Sequence, residues 1–130
     1  MRALVCLAEL PPGDAIIGAR LAEISAIPEN YMSKVLVTLR NAGFVRAMRG
    51  QHGGYQLAKP AREIVLFDVV KLFEGVDCEP ECLLGEDHRC CDELACGAHD
   101  RWKAVVEVYL DFLRNTTISD LHKPERARVD

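Results

Sequence analysis

A chain of 130 residues, 49% of them hydrophobic, is long enough for one domain with a real core and too short for two full ones. Its formal net charge of −4, taken as an average, argues against a nucleic-acid binder. No apolar run reaches the length of a membrane span and the N-terminus lacks a cleavage-site pattern, so we expect a cytoplasmic protein without a membrane partner.

The two halves of the chain carry opposite charge. Residues 1–62 contain eight Lys and Arg against four Asp and Glu, a net of +4. Residues 63–130 contain eight against sixteen, a net of −8. This split predicts a basic working face in the first half and a different task for the acidic second half.

The chain begins with two short helical patterns. The stretch RALVCLAEL favours a helix that ends at Pro11-Pro12-Gly13, with Cys6 as a small core residue. The segment AIIGARLAEIS places Ile17, Leu21 and Ile24 at helical spacing, which predicts a short amphipathic helix.

A third helix follows the turn AIPEN and ends at Gly43. One face is an apolar stripe, and the opposite face carries mostly small polar and basic side chains: Met32, Val35, Leu36 and Leu39 on the first, and Asn30, Ser33, Lys34, Val37 and Asn41 on the second. Two short helices joined by a tight turn, the second with such an outer face, match a helix-turn-helix. A plain solvated helix pair is the alternative.

The next segment, FVRAMRGQHGGYQLAKP, predicts a β-hairpin. Its tip is rich in glycine and in cationic or polar side chains, which can approach a phosphate backbone and enter the minor groove. A hairpin directly after a helix-turn-helix is a wing, and an ordinary surface hairpin is the alternative. Beyond it, Asp68 is the predicted N-cap of a helix that stops at Gly75.

A cysteine-rich segment, CEPECLLGEDHRCCDELACGAH, holds five of the six cysteines. Thiols stay reduced in the cytosol, so a metal site or a redox sensor is favoured over disulfides. The spacing suits either an iron-sulfur cluster or zinc, with candidate ligands Cys78, Cys82, Cys90 or Cys91, Cys96, and His88 or His99. His99 is equally well explained as a residue that packs at the start of the next helix. No third group orients a thiol for nucleophilic catalysis, so we predict that the chain is not an enzyme.

The last pattern is a long amphipathic helix in DRWKAVVEVYLDFLRNTTISDL. Its apolar side chains recur at i, i+3, i+4, i+7, i+8 and i+11: Trp102, Val105, Val106, Tyr109, Leu110 and Leu113. This stripe is wider than a small winged domain can cover, so we expect part of it to pack on a second copy of the chain.

From Met1 to about Leu121 the chain resembles the IscR/NsrR family of bacterial winged-helix transcription regulators. The resemblance is carried by LAEIS, NYMSKVLVTLRNAGFVRAMRGQHGGYQLAKP, CLLGEDHRCCDELACGAHDRW and TTISDL. It implies a homodimer that binds a palindromic operator, most simply as a repressor, with an iron-sulfur cluster of two or four irons responding to nitric oxide, redox state or iron. Family positions map best onto Cys82, Cys90 and Cys96.

The chain also departs from the family pattern. Cys91 stands where a serine is usual, Cys78 is additional, and family members carry about ten further residues before the position of Met1. The resemblance therefore leaves Cys91, Cys78 and His99 as further candidate ligands. The fourth iron position is open to His99, to a partner-subunit group such as Glu9, to a small molecule, or to no ligand.

Together these patterns predict a mainly helical protein with a small β-wing, a winged helix-turn-helix followed by a long C-terminal dimerisation helix. The predicted parts are a DNA-binding domain (1–75), a cluster-binding loop (76–99), a dimerisation helix (100–121) and a flexible tail (122–130). The predicted contacts to double-stranded DNA lie on the third helix and the wing: Pro28, Asn30, Tyr31, Ser33, Lys34, Arg49, Gln51 and His52.

Overall fold

The computed structural model describes residues 1–75 and 96–122 of the chain. The chain divides into two compact units, one of Met1–Val65 with the segment that begins at Thr117, and one of Leu66–Thr116. The predicted division by function stays a prediction, because most of the cysteine-rich segment and of the tail lies outside the described residues.

The order of elements agrees with a mainly helical protein that carries a small antiparallel sheet. The first unit contains α1 (Arg2–Ala8), α2 (Gly18–Ser25), α3 (Glu29–Asn41), β1 (Val45–Met48), β2 (Gly54–Leu57) and two short 3-10 turns, Ala61–Glu63 and Ser119–Leu121. The second unit contains α4 (Leu66–Glu74) and α5 (His99–Asn115). Within residues 1–75 and 96–122, no helix has the length and apolarity of a membrane span.

Helix α3 buries the face that its sequence predicts. Met32, Leu36 and Leu39 are each 1% exposed, whereas the predicted stripe residue Val35 is only half-buried. Apolar side chains at this spacing form one face of a helix, and their removal from water is the main stabilisation of such a short element.

Helix α2 buries a different face from the predicted one. Leu21 is buried as expected, but Ile17 and Ile24 are 59% and 45% exposed. The buried neighbours of Leu21 are the small residues Ala22 and Ser25. Small side chains allow close packing against α1, where the Ser25 hydroxyl donates a hydrogen bond of 3.6 Å to the half-buried Cys6 Sγ.

Both helices of the helix-turn-helix end in the same backbone motif. After α3, the Phe44 N–H donates to the Leu39 carbonyl and the Gly43 N–H to the Arg40 carbonyl, each at 3.0 Å, with Gly43 at φ +82. This is a Schellman motif, which satisfies the last carbonyls of a helix. After α2, Ala26 takes the left-handed position at φ 53, so the tight turn between the helices forms without a glycine.

The wing is a two-stranded antiparallel hairpin in which Val45 pairs with Leu57 and Met48 with Gly54. It is anchored to the segment before α2 by a further bridge, because Ile16 and Tyr55 exchange backbone hydrogen bonds of 3.0 and 2.7 Å. Gly54 makes this approach possible: its φ is +143, and a Cβ added there would lie 2.4 Å from the Ile16 carbonyl. Only glycine fits this position.

In the second unit, α4 begins at Leu66, two residues before the predicted N-cap Asp68. The helix starts early because the Leu66 N–H donates to the Thr116 carbonyl at 2.9 Å, a partner distant in sequence. It stops at Gly75, as predicted, with φ +91.

Helix α5 runs for 17 residues. Its buried side chains are His99, Leu110 and Leu113, while the predicted stripe residues Trp102, Val106 and Tyr109 are half-buried. The remaining apolar side chains of α5 stay in water: Val105 is 56%, Val108 71% and Phe112 52% exposed.

Candidate nucleic-acid interface

The outer face of α3 presents the predicted base-reading side chains to solvent. Asn30, Ser33 and Lys34 are exposed and lie at i, i+3 and i+4, so they are neighbours on one helix face. The opposite face is the buried stripe. A helix with these two faces can pack its apolar face on the core while its polar face enters the major groove of B-DNA, which is about 12 Å wide.

Ser33 on this face already makes a hydrogen bond within α3. The Ser33 hydroxyl donates a hydrogen bond of 3.0 Å to the Glu29 carbonyl one turn earlier. A hydroxyl has a single proton and two acceptor lone pairs. Ser33 therefore faces solvent as an acceptor, while Asn30 and Lys34 supply the donors.

Two further predicted contacts lie at the start of α3. Pro28 is the N-cap residue at φ −55, and its carbonyl accepts a hydrogen bond of 2.8 Å from the Met32 N–H. Tyr31 is 57% exposed, in the same first turn. A recognition helix contacts base edges through its N-terminal part, so the exposed start of α3 has the accessibility that this docking mode needs.

The wing tip carries the third group of predicted contacts. Arg49, Gln51 and His52 are all exposed, and the last two line a groove of about 510 Å³ together with Arg20 and the Gly13–Ile17 segment. Gly50 at φ +108 turns the chain between the strands. The tip can therefore bring a guanidinium and two polar side chains to a phosphate backbone or a narrow minor groove.

The first unit concentrates cations near these elements. Lys34, Arg40, Arg46 and Arg49 are exposed along α3 and the wing, and the Lys59 ammonium lies 4.9 Å from the centre of the Phe44 ring at the base of the hairpin. Because the first half of the chain is net positive, the negative overall charge does not describe this surface. Phosphate contacts from such cations supply affinity that falls as salt rises.

The cysteine-rich segment enters the described structure only at its end. Cys96 is half-buried, and its carbonyl accepts a hydrogen bond of 3.0 Å from the N–H of His99, the first residue of α5. His99 is 7% exposed, as expected for a residue that packs at the start of α5. Cys78, Cys82, His88, Cys90 and Cys91 lie outside the described residues, and the described residues alone bring together no metal-binding group of three or more His, Cys, Asp or Glu.

A helix-turn-helix with an exposed polar recognition face, followed directly by a glycine-tipped hairpin, defines a winged-helix DNA-binding protein. The family model of Rrf2, described as iron-dependent transcriptional regulators, matches residues 1–124. The chain belongs to the Rrf2 family of transcriptional regulators, so the predicted resemblance is confirmed, as is the prediction that it is not an enzyme.

Individual relatives agree with this assignment. A protein of Aquifex aeolicus (strain VF5) named as an HTH-type transcriptional regulator is 32% identical over 111 residues, which cover 84% of this chain and 76% of the relative. The structure of CymR, the global cysteine regulator of B. subtilis, is 26% identical with a TM-score of 0.74, covering 92% of this chain and 87% of CymR. The structure of T. potens IscR is 25% identical with a TM-score of 0.69, covering 92% of this chain and 77% of IscR.

The structure adds residues that were not among the predicted contacts. Arg20 lines the wing-tip groove and forms an exposed ion pair of 2.6 Å with Glu23, and Arg46 is exposed on β1. Val37 stands 55% exposed on the same face as Ser33 and Lys34. The helical spacing of Val37 placed it on this face from sequence, but its apolar character gave no reason to single it out.

Proposed function

We propose that this Rrf2-family protein is a homodimeric repressor of a palindromic operator, and that an iron-sulfur cluster sets its affinity for DNA. The proposed ligands are Cys82, Cys90 and Cys96, with Cys91, Cys78 and His99 as further candidates for the middle or fourth position. Nitric oxide, redox state and iron supply are the candidate signals. The observation that carries the proposal is the backbone hydrogen bond between the Cys96 carbonyl and the N–H of His99 in the first turn of α5.

The residues present fit a cluster by their chemistry. Thiolates are the usual ligands of iron-sulfur clusters, and three of them with a weaker fourth ligand leave one iron accessible to small reactive molecules. Cys96 lies three residues before His99, the first residue of α5. When bound, the cluster supplies an inorganic centre that reacts with oxidants or nitric oxide.

Helix α5 connects Cys96 to the surface that we propose as the contact with a second copy of the chain. Cys96 is tied by backbone to His99, and α5 then presents Val105, Val108 and Phe112 at i, i+3 and i+7. An exposed apolar stripe at this spacing suits packing on the same stripe of a twofold-related copy. A ligand cysteine fixed in place therefore fixes the start of the helix that we propose as the dimer contact.

The dimer then converts a small change in α5 into a change in affinity. Two recognition helices can enter successive major grooves on one side of B-DNA only when they lie about 34 Å apart. A shift at the dimer contact alters this spacing in both subunits at once. Coupling of this kind between two sites typically amounts to about 1–3 kcal/mol, or roughly 5- to 150-fold in affinity.

The proposal is tested with protein purified without oxygen. We expect a coloured protein that contains iron and acid-labile sulfide, binds a duplex selected from a random DNA library, and changes its affinity at least fivefold after addition of nitric oxide or an oxidant, as the coupling range requires. A colourless protein with stoichiometric zinc and unaltered DNA affinity would establish the structural-zinc alternative. A protein that contains neither metal nor sulfide but binds DNA with full affinity would show that the function needs no cofactor.

A further inference from the structure

We propose that Val37 reads the C5-methyl group of a thymine in each half-site of the operator. This inference rests on the proposed function and deepens it, because it names one base feature that the recognition helix discriminates.

The position of Val37 on α3 suits base reading. Asn30, Ser33, Lys34 and Val37 lie at i, i+3, i+4 and i+7, and all four are exposed. Recognition helices of the homeodomain type use four side chains at this spacing in the major groove. Val37 therefore completes a reading face whose other three members are polar.

The chemistry of Val37 selects its target. Its side chain is 55% exposed and can neither donate nor accept a hydrogen bond, so it can discriminate bases only by apolar contact. The apolar group on the base edges of the major groove is the thymine methyl. An isopropyl group beside a methyl group buries apolar surface from both partners.

The neighbouring serine is compatible with the same base pair, although an acceptor can equally pair with the N4 amino group of cytosine. Because the Ser33 proton is donated to the Glu29 carbonyl, Ser33 meets a base as an acceptor. Adenine offers an N6 amino donor in the major groove, and its partner thymine offers the methyl. Ser33 and Val37, one helical turn apart, are thus complementary to features that A·T pairs display.

The test replaces single thymines by uracil, which removes only the methyl group. A duplex is first selected from a random library with the wild-type protein, and each thymine of the half-site is then replaced in turn, symmetrically in both half-sites. We expect one position at which uracil weakens wild-type binding about fourfold per half-site, the ratio for burial of about one methyl group. Val37→Ala retains only the Cβ methyl at this position, so the variant is expected to lose most of the difference between the thymine and uracil duplexes.

Two controls make the outcome specific. Alanine raises helix propensity at the exposed position 37, so Val37→Ala is expected to keep its fold. Ile24→Ala trims an exposed apolar side chain of α2 and is expected to keep the full dependence on the methyl group. The inference is overturned if no thymine is sensitive, or if the sensitive thymine is equally sensitive with Val37→Ala. Selection of no duplex by the wild type would instead refute the proposed function.

Discussion

The outer face of α3 and the exposed face of α5 are both solvent-exposed helix surfaces, but they differ in chemistry. The exposed side chains on the outer face of α3 are the polar Asn30, Ser33, Lys34 and Asn41, with Val37 among them. On α5 three large apolar side chains stand together, and Val108 is 71% exposed. A polar face backed by a mostly buried stripe suits a hydrated groove, whereas an apolar stripe in water suits another protein surface.

The charges of the two regions separate in the same way. The half of the chain that contains α3 and the wing is +4, and the half that contains the cysteine-rich segment and α5 is −8. A negative surface is repelled by DNA and a positive one is attracted. The difference teaches that one short chain keeps its candidate nucleic-acid interface and the proposed cofactor and dimer region in separate parts of the sequence.

The largest expected effect sharpens the assignment of the cysteines. Cys96→Ser removes a proposed thiolate ligand, so we expect the anaerobically purified variant to lose its colour and its iron. Cys6→Ser is the matched control, because Cys6 lies in α1 against Ser25, and we expect it to retain both. Iron and sulfide analysis with absorption spectra decides, and a fully loaded Cys96→Ser protein would contradict the ligand set.

The second prediction concerns the rigidity of the wing. Gly54→Ala combines a φ of +143 with a Cβ 2.4 Å from the Ile16 carbonyl, so we expect a loss of about 3 kcal/mol in the free energy of unfolding. Gly50→Ala has a comparable φ of +108 with nothing within 4 Å, and we expect a loss of about 1–2 kcal/mol from backbone strain alone. Urea unfolding measures both, and equal losses would show that the close approach to Ile16 is unimportant.

The third prediction tests the apolar stripe of α5. Val108→Glu places a charge in the proposed contact between copies, so we expect the dimer to be weakened by about 2 kcal/mol, or roughly 30-fold. Glu107→Lys changes the charge of an exposed α5 residue adjacent in sequence but outside the apolar stripe, and should leave the dimer intact. Sedimentation equilibrium is the measurement, and an undisturbed Val108→Glu dimer would place the contact elsewhere.

The fourth prediction tests the basic wing. Arg49→Ala should lower DNA affinity about tenfold, and should reduce the slope of log affinity against log salt by about one phosphate contact per subunit. Arg62→Ala removes an equal charge at an exposed residue of the Ala61–Glu63 turn, and it should change the DNA affinity and the salt slope less than Arg49→Ala does. An unchanged affinity and slope for Arg49→Ala in salt-titrated gel shifts would remove the wing tip from the interface.

The smallest expected effect is a pH dependence of the folding stability that comes from Asp120, which is not among the predicted DNA contacts. The backbone N–H of Thr117 and then its hydroxyl donate to the Asp120 carboxylate at 2.8 and 3.0 Å, which holds the pKa of Asp120 below its ordinary 3.8. Because the folded pKa is depressed, this stabilisation is present above about pH 4 and is lost as the pH falls through the folded value. The stability difference between the wild type and Asp120→Asn should therefore narrow in acid, and a difference independent of pH would contradict this.

Sequence patterns predicted those parts of the fold that depend on local signals. The α3 stripe and the glycine stops at Gly43 and Gly75 are local, and the structure has them. The buried face of α2 was predicted wrongly, because Ala22 and Ser25 are buried through close packing that hydrophobicity does not reveal. The start of α4 was misplaced for a related reason, since its first N–H is satisfied by Thr116, some fifty residues away in sequence.

Sequence patterns likewise predicted only part of the candidate site. Asn30, Ser33 and Lys34 could be placed on one exposed face from helical spacing alone, and Arg49 at a glycine turn from the hairpin pattern. The Ser33 proton could not be assigned from sequence, because its use by the Glu29 carbonyl depends on the side-chain rotamer. The partner of Cys96 at the start of α5 likewise required coordinates.

The bridge between Ile16 and Tyr55 has a mechanical consequence for control of the operator. It ties the hairpin to Ile16, two residues before the start of α2, while the Schellman turns connect α2 to α3 and α3 to β1. The hairpin, α2 and α3 are therefore connected to one another by backbone hydrogen bonds, so we expect them to move together. Under the proposed control by a cofactor, we therefore expect the backbone amides of α3 and the wing to exchange with deuterium at the same rates with and without the cofactor.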